Sequence, residues 1–270
     1  MMKYTFFMDM DETLIHNFGK PTEALLRIVK EAQSMGHLFF VNTARAHGNV
    51  NPEIFPIECF DGLCSGSGTR IVYHGECIYE NIIHQNEVYE LVDTVLTAQP
   101  ETKFVVESTR GLLLNAEDHW NPCVIMNYTS ADDLIERYPD ERIQKFASYH
   151  GYPIKSEVTD TFAHKFDVYQ QPDYTEIVPV GYSKGKAIEI VEQKLGVPHE
   201  STVAMGDSMN DMPMMNYAAI SIAMGNALDA VKAVATEITD TAENDGAAKA
   251  IAKLCGISYE RVLNDIKSAR

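Results

Sequence analysis

Two aspartates stand two residues apart behind an apolar run, in Phe7-Met8-Asp9-Met10-Asp11-Glu12-Thr13-Leu14. On an extended backbone, residues i and i+2 point to the same side, so Asp9 and Asp11 share a face. If the run is a strand of a parallel sheet, the pair sits at its carboxyl end, where open α/β sheets bind ligands. Converging carboxylates repel each other, and a bound cation relieves that repulsion. Mg2+ suits the arrangement: it prefers hard oxygen donors, keeps several waters, and takes one or two carboxylates together with phosphate oxygens. Alone, the pair is equally the signature of a solvated acidic turn or a helix cap.

A second acidic group, Met205-Gly206-Asp207-Ser208-Met209-Asn210-Asp211, also follows a short apolar run. Gly206 permits a sharp turn, and Asp207 can reach the same metal, while Asn210 or Asp211 can instead cap the next helix. Asn42-Thr43-Ala44-Arg45 closes another apolar run, and a hydroxyl beside backbone N–H groups suits a phosphate oxygen. Lys184, in Ser183-Lys184-Gly185-Lys186, can bring an ammonium to the same phosphate. Singly, Thr43 also reads as a strand-end turn and Lys184 as a solvated lysine of a first helical turn.

The elements that must position these residues alternate. A strand over 4–8 is followed by a helix opened by Pro21, with Leu25, Ile28, Val29 and Ala32 on one face and Gly36 beyond its end. Leu38–Val41 reads as a buried parallel strand. The last third repeats the rhythm. A helix after Ser183 carries Ala187, Ile188, Val191 and Leu195 and ends at Gly196 and Pro198. Strands follow at Val203–Met205 and Ile220–Met224, then a helix capped by Asn226 and running to about Ala235, then a final helix over roughly 246–255. Strands alternating with amphipathic helices predict an α/β fold, a doubly wound, mostly parallel sheet.

The middle differs. Residues 71–73 and 77–79 read as a hairpin, a helix carries Val88, Leu91, Val92 and Val95, and short strands follow at Lys103–Glu107, Leu112–Leu114 and 164–169. The expected organisation is a sheet domain of 1–81 and 182–270 with an inserted α+β domain over 82–181.

Net charge is −17, with 39 acidic against 22 basic side chains. Such a surface disfavours nucleic acid and anionic membrane as partners, and it also repels phosphate esters. Phosphate chemistry then needs a local cation. The N-terminus lacks the long apolar region of a signal peptide, no apolar run is long enough to span a bilayer, and the five scattered cysteines form no metal-ligand spacing. A cytoplasmic protein with reduced thiols is expected. Oligomeric state is not legible.

Taken in order, Asp9-x-Asp11-x-Thr13, Thr43, Lys184 and Gly206-Asp207-x-x-Asn210-Asp211 resemble the four motifs of the haloacid dehalogenase-like (HAD) hydrolase superfamily. The inserted domain is similar to the cap of its Cof-type subfamily IIB, as are Ala223-Met224-Gly225-Asn226-Ala227 and Asn244-Asp245-Gly246. Two departures occur. Ala44 stands where the group usually has glycine, and Ser65-Gly66-Ser67-Gly68-Thr69 replaces a common Asn-Gly-Ala.

The resemblance implies a Rossmann-like core with a cap, and a Mg2+-dependent phosphatase acting on a small phosphorylated metabolite such as a sugar phosphate. Asp9 would be the nucleophile and Asp11 the acid and base. Mg2+ would be held by Asp9, the backbone carbonyl of Asp11, and Asp207. Thr43, Ala44, Lys184 and Asn210 would bind phosphate, and Thr13, Arg45 and Asp211 would support them. Glu107, Arg110, His119 and Trp120 are candidate substrate contacts in the inserted domain, with packing or solvation as the plainer reading of His119 and Trp120. A phosphomutase, a phosphoacceptor signalling module and an inactive binding protein are the rivals. The presence of both Asp9 and Asp11 weighs against the last.

Overall fold

A computed structural model of the chain describes residues 2–117, 121–170 and 173–269. It forms two compact units. One comprises Met1–Ala44, Pro52–Tyr79 and Ser183–Arg270, the other Arg45–Asn51 and Glu80–Tyr182. The segment Arg45–Asn51, expected with the sheet domain, therefore belongs to the second unit.

The first unit begins with β1 (Thr5–Met8), α1 (Glu23–Ser34), β2 (Leu38–Asn42), β3 (Gly62–Ser65), β4 (Arg70–Tyr73) and β5 (Glu76–Glu80). Thr22 caps α1 by accepting the Leu25 N–H, one residue after the expected Pro21, and Leu25, Ile28, Val29 and Ala32 are buried as the periodicity requires. His74 and Gly75 both have positive φ, the two-residue turn that matches the twist of a hairpin, so β4 and β5 are joined more tightly than the sequence suggests.

The chain then builds the second unit with α2 (Gln85–Ala98), β6 (Phe104–Ser108), β7 (Leu112–Leu114), β8 (Val124–Asn127), α3 (Ala131–Arg137), β9 (Ile143–Ser148), α4 (Ser156–Thr159), β10 (Phe166–Gln170) and β11 (Thr175–Pro179). Its sheet has the order β10-β11-β9-β6-β7-β8. Alternate residues Phe104, Val106, Phe146 and Ile177 pack with Val88 and Leu91 of α2 and Leu134 of α3. On the opposite face Val105, Leu112 and Leu114 form a smaller cluster. Period-2 side-chain alternation places the two sets on opposite sides of one sheet.

The return to the first unit adds α5 (Lys184–Leu195), β12 (Thr202–Gly206), α6 (Met212–Tyr217), β13 (Ile220–Ala223), α7 (Asp229–Val234), β14 (Glu237–Ile238), α8 (Gly246–Cys255) and α9 (Tyr259–Ser268). The sheet order is β14-β13-β12-β1-β2-β3-β4-β5. Pairing is parallel from β14 through β3, and β4 runs antiparallel to β3. The fold is therefore a doubly wound α/β sheet. Every residue of β1 is buried, which explains its unbroken apolar run. Met8 lies opposite Met205 on one side and Val41 on the other. That register brings Asp9, Gly206-Asp207 and Asn42-Thr43 together at the carboxyl ends of three neighbouring central strands.

Asn226 does not cap α7. That helix starts three residues later behind Leu228, and the Asn226 amide donates to the Glu12 carbonyl at 2.9 Å while its oxygen accepts the Ala242 N–H at 2.8 Å. It ties together two loops distant in sequence, a demand that local capping patterns do not reveal. Among the described residues no helix is long and apolar enough to cross a membrane. The five cysteines are unpaired.

Candidate active site

Asp9 continues the β1 ladder by one residue, its N–H donating to the Met205 carbonyl at 2.9 Å. The chain then turns sharply. Met10 O accepts the N–H groups of both Leu14 and Ile15 at 3.0 Å. Glu12 sits within this turn at φ +56°, a conformation that disfavours most side chains. Its carboxylate is held by the Asn17 N–H at 2.9 Å and by His16 Nδ1 at 2.8 Å. Thr13 is buried behind the turn, and its hydroxyl oxygen has no hydrogen-bond partner among the described residues.

Lys184 is the first residue of α5, placed there because the Ser183 side chain caps the helix by accepting the Lys186 N–H. The lysine is 2% exposed. Its Nζ donates to Asp9 Oδ1 at 2.6 Å and to Asp211 Oδ1 at 2.5 Å. From behind, Asn42 Nδ2 donates to the Lys184 carbonyl at 2.9 Å. Asn42 was not singled out from the sequence. The available signal was a buried amide ending an otherwise apolar strand.

Asp211 is fully buried. While Oδ1 meets Lys184, Oδ2 accepts the N–H groups of Asp207 and Ser208, both at 2.9 Å. Gly206 makes this packing feasible, since a Cβ there would lie 2.5 Å from the Asp211 carboxyl carbon. The Leu228 N–H donates to the Asp207 carbonyl at 2.9 Å and fixes the other side of the loop. Asn210, expected near phosphate or Lys184, uses its side-chain oxygen to accept the Ser208 hydroxyl at 2.9 Å. The role of holding Lys184 falls to Asp211.

Carboxylate oxygens of Asp9, Asp207 and Asp211 all lie within 4.8 Å of one another. Asp11, partly exposed, stands outside this group. Burial first, and then the Asp211 charge, raise the pKa of Asp9 well above the carboxylate range despite the opposing Lys184. The same two causes push Asp207 up to about 7. Burial works to lower the Lys184 pKa, but Asp211 and Asp9 raise it above its ordinary value, so the ammonium stays charged. One ammonium facing three clustered carboxylates leaves an excess of negative charge that a divalent cation would neutralise. With both oxygens of Asp211 engaged by protein donors, Asp9 and Asp207 are the carboxylates left to bind it. Such an all-oxygen set with few carboxylates fits Mg2+.

Thr43 follows β2 directly and is 1% exposed. Its N–H donates to Cys64 O at 2.9 Å and its carbonyl accepts the Ser67 N–H at 3.1 Å. Ser67 has φ +56°. Gly68, at φ +92°, packs against Ala187 and the Ser183 carbonyl of α5, where a Cβ would meet atoms at 3.1 Å. The Ser65–Thr69 segment thus braces both Thr43 and the start of α5, which its departure from the common pattern did not suggest. Ala44 is largely buried.

Arg45, expected as a supporting residue, directly follows Ala44. It lies in the second unit, where its guanidinium donates to Asn49 O at 3.4 Å. Arg110, also in the second unit, is engaged by Glu141. Glu107 there is buried and accepts from Ala46 and Asn49. His119 and Trp120 lie outside the described residues.

The fold is that of a Rossmann-like α/β enzyme carrying an inserted α+β unit. The family model for haloacid dehalogenase-like hydrolases matches residues 6–251, and the chain belongs to that family. A Streptococcus pyogenes serotype M6 protein, M6_Spy0533, is 37% identical over 266 residues, covering 91% of this chain and 96% of that protein. The 5-amino-6-(5-phospho-D-ribitylamino)uracil phosphatase YcsE of Bacillus subtilis is 27% identical, covering 90% of this chain and 92% of that enzyme. The solved structure of the HAD subclass IIB sugar phosphatase BT4131 shares the fold with a TM-score of 0.78 at 21% identity, covering 95% of this chain and 100% of that one. This chain is an enzyme, a phosphatase of the family.

Proposed function

We propose that the enzyme is a Mg2+-dependent phosphomonoester hydrolase that removes phosphate from a small soluble metabolite, a sugar phosphate, through an aspartyl-phosphate on Asp9. The observation that carries this reading is Lys184 Nζ between Asp9 and Asp211, with Asp207 in the same carboxylate cluster. Family membership and the phosphatase relatives support it. The acidic surface disfavours polyanionic partners, and the unpaired cysteines accord with a cytoplasmic setting.

In this reading one Asp9 carboxylate oxygen attacks phosphorus in line, and the bond from phosphorus to the leaving oxygen breaks. Asp11 gives that oxygen a proton as it departs. Asp11 then takes a proton from water, which attacks the aspartyl-phosphate, releases inorganic phosphate and restores Asp9. Lys184 and Thr43, with the backbone at Ala44, bind the non-bridging oxygens and stabilise the charge that builds on them. Asp211 keeps Lys184 and the Asp207 loop in place. Asp9 and Asp207, with the Asp11 carbonyl, would hold Mg2+, which when bound shields the approach of one anion to another and orients the phosphoryl group.

The test is free-phosphate release from a panel of phosphorylated metabolites, ranked by kcat/KM with Mg2+ and with EDTA. Turnover of small phosphate esters that EDTA abolishes and Mg2+ restores is the expected result. Unchanged turnover after metal removal would sink the Mg2+ assignment.

A further inference from the structure

Residues 224–228 join β13 to α7 within the first unit. The Met224 N–H donates to Gly206 O at 3.0 Å and the Leu228 N–H to Asp207 O at 2.9 Å, so both ends of the segment are bonded to the loop that presents Asp207. Between them, Asn226 reaches to two other loops. Its side-chain amide donates to the Glu12 carbonyl at 2.9 Å, and its side-chain oxygen accepts the Ala242 N–H at 2.8 Å. Gly225 permits the close passage this needs, since a Cβ there would lie 2.8 Å from Thr241 N.

The chemistry of the two partners dictates the residue. A backbone N–H needs an acceptor and a carbonyl needs a donor, and a primary amide supplies both. An ionised aspartate would instead set an acceptor against the Glu12 carbonyl. Glu12 is also the residue that needs an outside hold. At φ +56° it stands in the left-handed region, which a residue with a side chain occupies at a cost unless its surroundings fix it. Its carboxylate is gripped by Asn17 and His16, but both belong to the same loop. Asn226 ties that loop to the end of β13, a strand of the central sheet. Asp11 shares a planar peptide with Glu12, so relaxation of Glu12 toward an ordinary φ reorients the Asp11 peptide with it.

We infer that Asn226 is a positioning residue for Asp11: through the Glu12 carbonyl it fixes the acid and base in the same frame as Asp207. The inference rests on the role proposed for Asp11 as acid and base.

The experiment uses the full chain with Mg2+ and compares kcat/KM on two esters. The leaving group of p-nitrophenyl phosphate needs little protonation. The sugar phosphate ranked first in the metabolite panel is an alkyl ester, and its leaving oxygen needs the acid. Asn226→Ala and Asn226→Asp should each lower kcat/KM for the sugar phosphate about tenfold, and leave that for p-nitrophenyl phosphate within about twofold of the parent. Asn226 is exposed, so neither change opens a cavity, and thermal melting checks that both fold. Asn226→Asp keeps the volume and an acceptor for Ala242, and it decides the matter if Asn226→Ala melts early. Equal losses on the two esters would overturn the inference, because they mark a structural role only. Unchanged values on both would overturn it as well. Asp11→Asn, run alongside, separates the two levels. If it too loses equally on both esters, the acid role of Asp11 falls. If its loss is selective while the folded Asn226 variants show none, this inference alone is defeated.

Discussion

The carboxylate of Asp211 accepts the backbone N–H of Asp207 at 2.9 Å, through the oxygen that does not face Lys184. One buried side chain thereby fixes both the ammonium and the loop that presents Asp207. Asp211→Ala would leave Lys184 with one buried partner and strand two backbone donors. Breaking a buried pair in this way costs about 3–5 kcal/mol. Denaturant melts should register a loss of that size. Isothermal titration should show weaker Mg2+ binding even though Asp211 is not assigned as a ligand. Stability equal to the parent would show that the loop holds its shape without it.

Removing Lys184 has a different signature. Lys184→Met leaves Asp9, Asp207 and Asp211 facing each other without a fixed cation, and it removes a donor to the transferring phosphate. Activity should fall by at least about a hundredfold, the scale seen when a preorganised charge-stabilising donor is lost. Because protonation relieves carboxylate repulsion, the variant's stability deficit should be larger at pH 8 than at pH 5. A deficit independent of pH would argue against the clustering as its cause.

Asp207 supplies part of the pH dependence of the metal-free protein, beside Asp9, whose pKa is also raised. Its folded pKa of about 7 exceeds the unfolded carboxylate value of roughly 3.9. The folded state therefore holds the extra proton between these values, and its contribution to stability, complete below the lower one, is lost as pH rises through the upper. In EDTA the Tm contribution of this group should decline from pH 5 to pH 7.5. Mg2+ competes with the proton, so the Tm gain on adding it should be greater at pH 7.5 than at pH 5. Asp207→Asn should reduce the difference. A larger Mg2+ gain at pH 5 would contradict the assignment.

The central sheet was legible because β1, β2, β12 and β13 are buried on both faces and read as apolar runs, with chemistry-bearing residues at their ends. Much of the second unit, and α9 and β3 of the first, were not. In β9, Gln144 and Lys145 are both fully buried, so polarity does not alternate and the strand has no sequence signature. In α9 only Val262 and Ile266 are buried, one pair four residues apart amid charged residues. β3, reading Gly-Leu-Cys-Ser, is too short for a pattern. At the site, Asp9 and Asp207 stood out as carboxylates behind apolar runs, whereas Lys184 came forward only through the motif resemblance. The supports Asn42, Ser67 and Asp211's double contact were not legible, because each depends on partners brought close only by folding.

The account stands on Asp9 taking the phosphoryl group, and trapping that group is the most direct measurement. In Asp11→Asn the water-activating base is gone, while p-nitrophenyl phosphate has a leaving group that needs little protonation. Mixing that variant with p-nitrophenyl phosphate and Mg2+, quenching in acid and mapping the phosphorylated peptide by mass spectrometry should find one phosphoryl group per chain, on Asp9, with a stoichiometric burst of p-nitrophenol. A phosphoryl group on any other residue, or an Asp9→Asn protein that hydrolyses the same ester at the parent rate, would contradict it.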